Sequence, residues 1–328
     1  MGKLTVVLGD YPHARPLLDG DVGLDGHQVE PVEVAPVIGA YRRMIRDLEF
    51  DVCELAPVSY LMARQEGIAL TAVPVFLNRR FHHGDVQCAA GSGIRVPRDL
   101  EGRRIGVRAY SVSTGVWVRG VLRDEYGVDI DTITWVVDDD DHIEGRVPSN
   151  VERVTDGRSL GDLLRAGEID AALTGNAGTG RAGAPRAGWS AGTAEPEPTG
   201  EEGPYPLFPD AGTLAVDHYL RTGVYPLHSL VSLRSELVER EPELPTRLYA
   251  ALAESKRRHL AGRPDWAAAP RLARQARQLG TDPVPYGIAS NERSLNAMVR
   301  FASDQRLLDP GFPADLPSLF APGDYPDA

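Results

Sequence analysis

The sequence predicts an α/β protein made of two α/β units. Short β-branched runs alternate with helical periodicity over residues 3–77, the same alternation restarts at residue 104, and the C-terminal part is mostly helical. A length of 328 residues is typical of two domains of about 100–200 residues each. The composition, 42% hydrophobic and 25% charged, is that of a folded protein with a sizeable core.

The first unit contains strand-like runs separated by helical segments. Pro57 takes a favourable early position in the second predicted helix. Strands that alternate with helices in this way indicate a mainly parallel sheet. The predicted strands are residues 3–9, 27–34, 50–56 and 69–77, and the predicted helices are 35–49 and 57–67.

The second unit repeats the pattern. Ser111 or Ser113 is the expected N-cap of its longer helix, and Gly127 is the expected stop. The predicted strands are residues 104–110, 133–137 and 169–175, and the predicted helices are 111–127 and 160–168.

The remaining segments differ in character. Residues 176–204 are rich in Gly, Ala and Pro without an apolar period, which predicts a loop or a disordered segment, with a functional lid as the alternative. Helices are then predicted within residues 242–262 and 290–308.

Charge and cysteine usage exclude some functions. The net charge of −12 argues against a general nucleic-acid binder, although it leaves room for a local basic pocket that binds a small anion. Cys53 and Cys88 match no metal spacing and are expected to be buried, reduced thiols. The N-terminus lacks the features of a secretory signal, and no run of about 18 apolar residues occurs, so a cytoplasmic protein without a membrane span is expected.

Four stretches carry a family likeness: VFLNRRFHHGD (75–85), the segment VPRDLEGRRIGVRAYSVSTGVWVRGVLRDEYGVDIDTITWV, RTGVYPLHSLVSLRSEL, and DPVPYGIASNERSLNAMVRFASDQRLL. Together they closely resemble the 4,5-dihydroxyphthalate decarboxylase family, over nearly the whole chain. The resemblance implies a type 2 periplasmic-binding-protein-like fold, in which two lobes joined by crossing strands hold a ligand between them. Residues 176–204 depart from the family pattern, because this segment is longer.

The implied fold divides the chain discontinuously. Residues 1–84 with 230–328 would form lobe one, 92–222 would form lobe two, and 85–91 and 223–229 would be the hinge. In such a fold the stretch RRFHHGD lies at the edge of the ligand cleft. Alternation along an extended chain places Arg80 and His82 on one face, and Arg79, Phe81 and His83 on the other.

Arginine and histidine suit different tasks at such a position. Arg80 offers a permanent charge and a planar fork that matches a carboxylate. His82 titrates near neutrality and is the expected acid/base group, with His228 on the returning strand as the alternative. The other expected substrate-binding residues follow strand ends or begin a helix; they are Asp10, Tyr11, Arg15, Glu54, Ser59, Arg79, His83, Tyr110, Ser111, Ser113, Thr114 and Trp117.

The sequence also bears on metal binding. The run DDDDH (138–142) reads as a solvated loop, since consecutive aspartates point in different directions. His82, His83, His228 and Glu54 together could hold a divalent metal, but no spacing such as His-x-x-x-His supports one. No cofactor is therefore expected.

The leading hypothesis is a non-oxidative decarboxylase of a hydroxylated aromatic carboxylate, acting by protonation of the ring carbon and loss of CO2. Two alternatives stay open: another lyase or synthase on the same fold that acts on an aromatic or pyrimidine-like substrate, and a solute-binding protein without catalysis. The expected partner is a small aromatic carboxylate, with no nucleic acid or membrane, and a homo-oligomer is possible.

Overall fold

The computed structural model describes residues 2–180, 203–261, 266 and 269–328. Within them the chain forms eleven β-strands and ten α-helices. The strands are β1 (Gly2–Val7), β2 (His27–Pro31), β3 (Val52–Leu55), β4 (Leu70–Val73), β5 (Val86–Cys88), β6 (Arg104–Gly106), β7 (Thr134–Val137), β8 (Val151–Arg153), β9 (Ala171–Leu173), β10 (Tyr205–Pro206) and β11 (Leu230–Arg234). The helices are α1 (Arg15–Leu18), α2 (Ile38–Asp47), α3 (Pro57–Gln65), α4 (Ser113–Tyr126), α5 (Leu160–Arg165), α6 (Ala211–Thr222), α7 (Ser235–Arg240), α8 (Leu244–Ala261), α9 (Pro270–Leu279) and α10 (Glu292–Asp304).

The chain folds into two compact units, each with its own sheet. The first unit comprises Met1–Arg80, His218–Val299 and Leu308–Ala328, and the second comprises Phe81–Asp217 and Arg300–Leu307. No helix among the described residues is both long enough and apolar enough to cross a membrane. Most of the predicted Gly, Ala and Pro-rich loop, residues 181–202, lies outside the described residues.

The sheet of the first unit has the strand order β2-β1-β3-β11-β4. β1 pairs in parallel with β2 and β3, whereas β11 runs antiparallel between β3 and β4. The end of β3 therefore lies at the same sheet edge as the beginning of β11. This geometry brings chain segments that are distant in sequence to one edge.

The core of the first unit lies between this sheet and α8. It contains buried apolar side chains, and five of them are at most 1% exposed: Val52, Val73, Val231, Leu248 and Leu252. Burial of each such side chain contributes about 1.5–3 kcal/mol relative to the exposed side chain. The apolar runs that predicted these strands are therefore core segments.

The sheet of the second unit has the order β10-β5-β9-β6-β7-β8. β6 is parallel to β7 and β9, β7 is parallel to β8, and β5 runs antiparallel to β9. A small core of Val136, Leu160, Leu164 and Ile169 packs α5 against the sheet. One edge of this sheet also brings together segments that are distant in sequence, because β5 begins where β6, β7 and β9 end.

The longer predicted elements are confirmed, and some of their ends are corrected. The fourth strand stops at Val73 rather than at residue 77, because Pro74 has no amide to continue the ladder. Helix α4 ends at the predicted Gly127, which has φ 63°. The predicted serine N-cap is wrong: Val112 occupies that position without a side-chain cap bond, and Ser113 is the first helical residue.

Candidate active site

One candidate site lies at the edge of the first sheet. The loop after β1 supplies Gly9 and Tyr11, β3 supplies Glu54, and Ser229 directly precedes β11. These positions meet because β11 is antiparallel to β3, with Val231 opposite Glu54. Tyr41 joins them from α2.

Glu54 is the centre of this group and is only 1% exposed. Its Oε2 accepts a hydrogen bond of 2.8 Å from the amide of Gly9. Its Oε1 accepts one of 2.8 Å from the Tyr11 hydroxyl and one of 3.1 Å from the Tyr41 hydroxyl. The predicted ligand Glu54 is thus held by neighbouring donors in a buried network.

Burial controls the protonation of this cluster. The loss of hydration raises the pKa of Glu54, and this outweighs the hydrogen bonds that favour its charged form. Burial and, after it, the Glu54 charge raise the pKa values of Tyr11 and Tyr41 well above their usual range. Both phenols are therefore neutral at any physiological pH.

Arg79, a predicted substrate-binding residue, is 3% exposed and engaged inside the first unit. Its Nη1 donates to Asn291 Oδ1 at 2.8 Å, and its Nη2 donates to the Tyr225 carbonyl at 2.5 Å and to Ser294 Oγ at 3.0 Å. The guanidinium also lies 4.5 Å from the Tyr225 ring centre, and burial lowers its pKa to about 10. A carboxylate could bind Arg79 only by replacing these bonds.

Arg80 and His228, two of the predicted catalytic residues, are half-buried on adjacent crossing segments of the first unit. The Arg80 amide donates to the Pro226 carbonyl, and the His228 amide donates to the Asn78 carbonyl at 2.9 Å. Their predicted roles remain predictions.

Arg271 is a candidate that the sequence argument missed. It is half-buried in the first turn of α9, where it donates to the Arg79 carbonyl at 3.0 Å and to Asn78 Oδ1 at 2.7 Å. Burial lowers its pKa, and its charge acts on Tyr11 and Arg80. The sequence signal that could have identified it is an arginine directly after Pro270. Proline is common at the first position of a helix, so the arginine is expected in the first turn.

Three further predicted residues of the first unit have different environments. Asp10 and Arg15 form an exposed ion pair at 2.8 Å, which is worth little in stability. Together with Tyr11 they line a cavity of about 490 Å³, within the size range of small-molecule sites. Ser59 is 2% exposed inside α3.

The edge of the second sheet carries the predicted histidines. His82 is 2% exposed, and its Nδ1 lies 2.7 Å from Asp85 Oδ2. Asp85 directly precedes β5, and its carbonyl accepts the Thr174 amide that follows β9. Such a carboxylate fixes the imidazole tautomer and stabilises the charged ring.

The predicted alternation of side chains along this stretch is wrong. Residues His83–Asp85 form a 3₁₀ turn instead of extended chain, so His82 and His83 are both buried. His83 Nε2 lies 3.5 Å from Glu125 Oε2, and its ring packs against Phe208 at 6.0 Å.

The interpretation of residues 138–142 as a solvated loop is also wrong for its first half. Asp138 and Asp139 are 5% and 3% exposed, because they follow β7 at the sheet edge. Asp139 Oδ2 pairs with Arg108 Nη1 at 3.0 Å, which satisfies both buried charges. Asp141 Oδ1 accepts from the Ser111 amide at 2.6 Å and from the Ser111 hydroxyl at 2.5 Å.

The remaining predicted residues lie in or beside the first turns of α4. Ser113 and Thr114 are buried in its first turn, next to the helix N-terminus. Trp117 is fully buried edge-on against Phe301, as a core residue. Tyr110 is 3% exposed and stacks under the Arg119 guanidinium at 3.9 Å.

Both cysteines are buried free thiols, as predicted. Burial raises the pKa of Cys53 well above its usual range and that of Cys88 to about 12, so neither is a reactive thiolate. A metal at His82, His83, His228 and Glu54 stays a prediction. Glu54 fits it poorly, because its two oxygens already accept three hydrogen bonds from protein donors.

Comparisons with known proteins give sequence relatives and a fold. The 4,5-dihydroxyphthalate decarboxylase of Comamonas testosteroni is 34% identical over 307 residues, which is 88% of each protein. The 4,5-dihydroxyphthalate decarboxylase of Pseudomonas putida is 33% identical over 181 residues, 52% of this chain and 69% of the relative. No protein-family model matches the chain.

Among solved structures, protein AF1704 of Archaeoglobus fulgidus aligns with a TM-score of 0.50 and 13% identity, over 93% of this chain and 98% of its own. The periplasmic aliphatic sulphonate binding protein SsuA of Escherichia coli aligns with a TM-score of 0.48 and 13% identity, over 94% of both chains. At such identities a likeness concerns fold alone. The predicted α/β fold with two units is confirmed, because each unit has a sheet of its own.

Proposed function

The chain belongs to the 4,5-dihydroxyphthalate decarboxylase family, and we propose that it removes CO2 from a hydroxylated aromatic carboxylate such as 4,5-dihydroxyphthalate. The observation that carries this proposal is 34% identity over 88% of both chains. The predicted sites supply the groups that such a reaction needs, namely an acid, cationic anchors and hydrogen-bonding partners for a phenol.

The reaction consists of two steps at one ring carbon. An electron pair of the ring, pushed by an ortho or para hydroxyl, forms a C–H bond with a proton from the enzyme. The bond to the carboxylate then breaks, CO2 leaves, and the bonding pair restores the aromatic ring. One proton is consumed, no electron is transferred to another group, and no oxidant is required.

His82 is our candidate for the proton donor. Asp85 Oδ2, 2.7 Å from Nδ1, accepts the Nδ1–H and stabilises the imidazolium, whose Nε2–H is the proton to be transferred. Positioned proton transfer of this kind contributes about 10²–10⁴-fold to a rate. His228 is the alternative donor.

Two groups of predicted residues are the candidates for anion binding. Arg80 is the candidate for a carboxylate because of its permanent charge and planar fork. In the second unit, Ser113 and Thr114 lie at the N-terminus of α4, where backbone N–H groups favour anions. Ser111 could bind an anion there only by giving up its two bonds to Asp141.

The test is turnover of 4,5-dihydroxyphthalate by the purified protein, with and without a chelator. Loss of one carboxylate would yield 3,4-dihydroxybenzoate and one CO2 per substrate. Release that survives chelation supports proton transfer by a histidine, whereas release lost on chelation and restored by a metal would assign histidines to metal binding. Saturable binding without any product would contradict the proposal and favour a binding protein or another substrate.

A further inference from the structure

The hydrogen bonds of Glu54 determine what its neighbour Tyr11 can do. Oε2 is occupied by the Gly9 amide, and Oε1 by the hydroxyls of Tyr11 and Tyr41. The Ser229 hydroxyl also faces this carboxylate. A carboxylate has about four lone-pair sites, so Glu54 has little capacity left for a ligand.

Tyr11 is more exposed than Glu54 and Tyr41: it is half-buried, whereas the other two are buried. A phenol has one proton to donate, and the proton of Tyr11 is committed to Glu54 at 2.8 Å. Towards any further group the Tyr11 oxygen can therefore only accept. Its raised pKa means that it acts as a neutral acceptor and not as a phenolate.

We propose that Tyr11 recognises a ring hydroxyl of the substrate by accepting its hydrogen bond, and that Glu54 is the positioning residue that keeps Tyr11 an acceptor. This rests on the proposed function, since it names the part of the aromatic substrate that the site selects. A ligand with a C–H at this place offers the Tyr11 oxygen no donor beyond the Ser229 hydroxyl, and a carboxylate there meets a lone pair.

The binding assay compares 4,5-dihydroxyphthalate with phthalate, which lacks both hydroxyls, by isothermal titration calorimetry. The measured quantity is the ratio of the two Kd values. We expect wild type to prefer the hydroxylated ligand and Tyr11→Phe to reduce that preference by about tenfold, the value of one hydrogen bond. The affinity for phthalate should change little.

Glu54→Gln tests the positioning role. The Gly9 amide still requires an acceptor, so the Gln oxygen faces Gly9 and the Gln NH₂ faces the two phenols. Tyr11 then accepts from Gln and its own proton is released for donation. A donating Tyr11 can bind a group that only accepts, so Glu54→Gln should bind benzene-1,2,4-tricarboxylate more tightly, relative to phthalate, than wild type does.

Tyr41→Phe is the matched control. It removes the other phenol from the same Glu54 oxygen and should retain the wild-type ratio at pH 8. If Tyr11→Phe fails to fold, Glu54→Gln still decides the question.

A pH series gives a readout that simple packing would not produce. The groups around Glu54 and Tyr11 are the Gly9 amide, Tyr41, Cys53, Ser229 and, acting on Tyr11, the Arg271 charge. As pH falls through the raised pKa of Glu54, the carboxyl gains a proton, and Tyr11 is no longer obliged to donate to it. As the pH falls, the affinity of wild type for benzene-1,2,4-tricarboxylate relative to phthalate should rise, whereas that of Glu54→Gln should stay flat.

These outcomes are separate from turnover. Equal affinities of wild type for both ligands, no measurable binding of either, or a Tyr11→Phe variant that weakens both equally would overturn the role of Tyr11, even if CO2 is released. An unchanged affinity of Glu54→Gln for benzene-1,2,4-tricarboxylate relative to phthalate would overturn the positioning role. Conversely, the full pattern without CO2 release would uphold this recognition and refute the decarboxylase.

Discussion

Replacement of Gly120 by alanine is expected to destabilise the second unit. Gly120 lies in α4, and a Cβ at this position would come within 2.1–2.4 Å of three atoms of the Phe301 ring. Real Cβ contacts are never so short, so the ring or the helix must move. The short returning segment Arg300–Leu307 supplies this ring to the second unit.

Two opposing terms set the magnitude. Overpacking of a filled core costs about 1–3 kcal/mol, and the severity of this overlap favours the upper end. Alanine regains about 1 kcal/mol of helix propensity over glycine. The net loss in the free energy of unfolding is therefore about 2 kcal/mol, or about 4–8 °C in Tm for a domain of this size.

Gly212 is the matched control, because it is also a helical glycine and a Cβ there would meet nothing within 4 Å. Gly212→Ala should leave Tm unchanged or slightly raised in thermal unfolding followed by circular dichroism. Adding Phe301→Leu to Gly120→Ala should recover part of the loss. Equal Tm values for the Gly120→Ala and Gly212→Ala proteins would refute the packing of α4 against Phe301.

Three other predictions follow from the contacts of buried polar groups. Asp85→Asn should lower kcat by about 10²–10⁴-fold with little change in KM, because the amide cannot stabilise charged His82; an unchanged kcat and pH profile in steady-state assays would contradict this. Arg108→Met should cost about 3–5 kcal/mol in urea unfolding, since it leaves Asp139 buried without its partner, and a loss under 1 kcal/mol would show that Asp139 is hydrated. The buried His13 has its pKa lowered to about 3, mainly by burial, so between pH 6.5 and 3 the unfolded chain binds a proton that the folded chain does not. Stability should therefore fall with decreasing pH by about 1.4 kcal/mol per unit more steeply in wild type than in His13→Met, and parallel pH curves would refute this.

The elements that sequence periodicity predicted best are the long ones with a clear apolar face. α8 is of this kind, and its buried residues recur at helical spacing, whereas residues 113–122 of α4 are all buried. The three-residue strands β5 and β8 were missed, because a pattern with period two cannot be recognised over so short a run. Their place in the sheet depends on pairing with distant strands.

The site was predictable where it depends on topology. Residues after β1 and at the end of β3 were expected near each other, and Glu54 and Tyr11 are indeed hydrogen-bonded. The second phenol, Tyr41, was not among the predicted site residues, since helical periodicity does not reveal that its hydroxyl reaches a carboxylate. Burial of Asp138 and Asp139 was missed for a similar reason: local composition suggests solvent, whereas the sheet edge and Arg108 decide otherwise.

The central claim is best tested by measuring CO2 and 3,4-dihydroxybenzoate released from 4,5-dihydroxyphthalate by wild type, His82→Ala and His228→Ala side by side. The account predicts stoichiometric release by wild type and a loss of about 10²-fold or more in His82→Ala that folds normally. His228→Ala should be less affected. Wild-type rates in the folded His82→Ala protein would remove His82 as the acid, and no product from the wild-type protein at saturating substrate would contradict the proposed decarboxylation of this substrate.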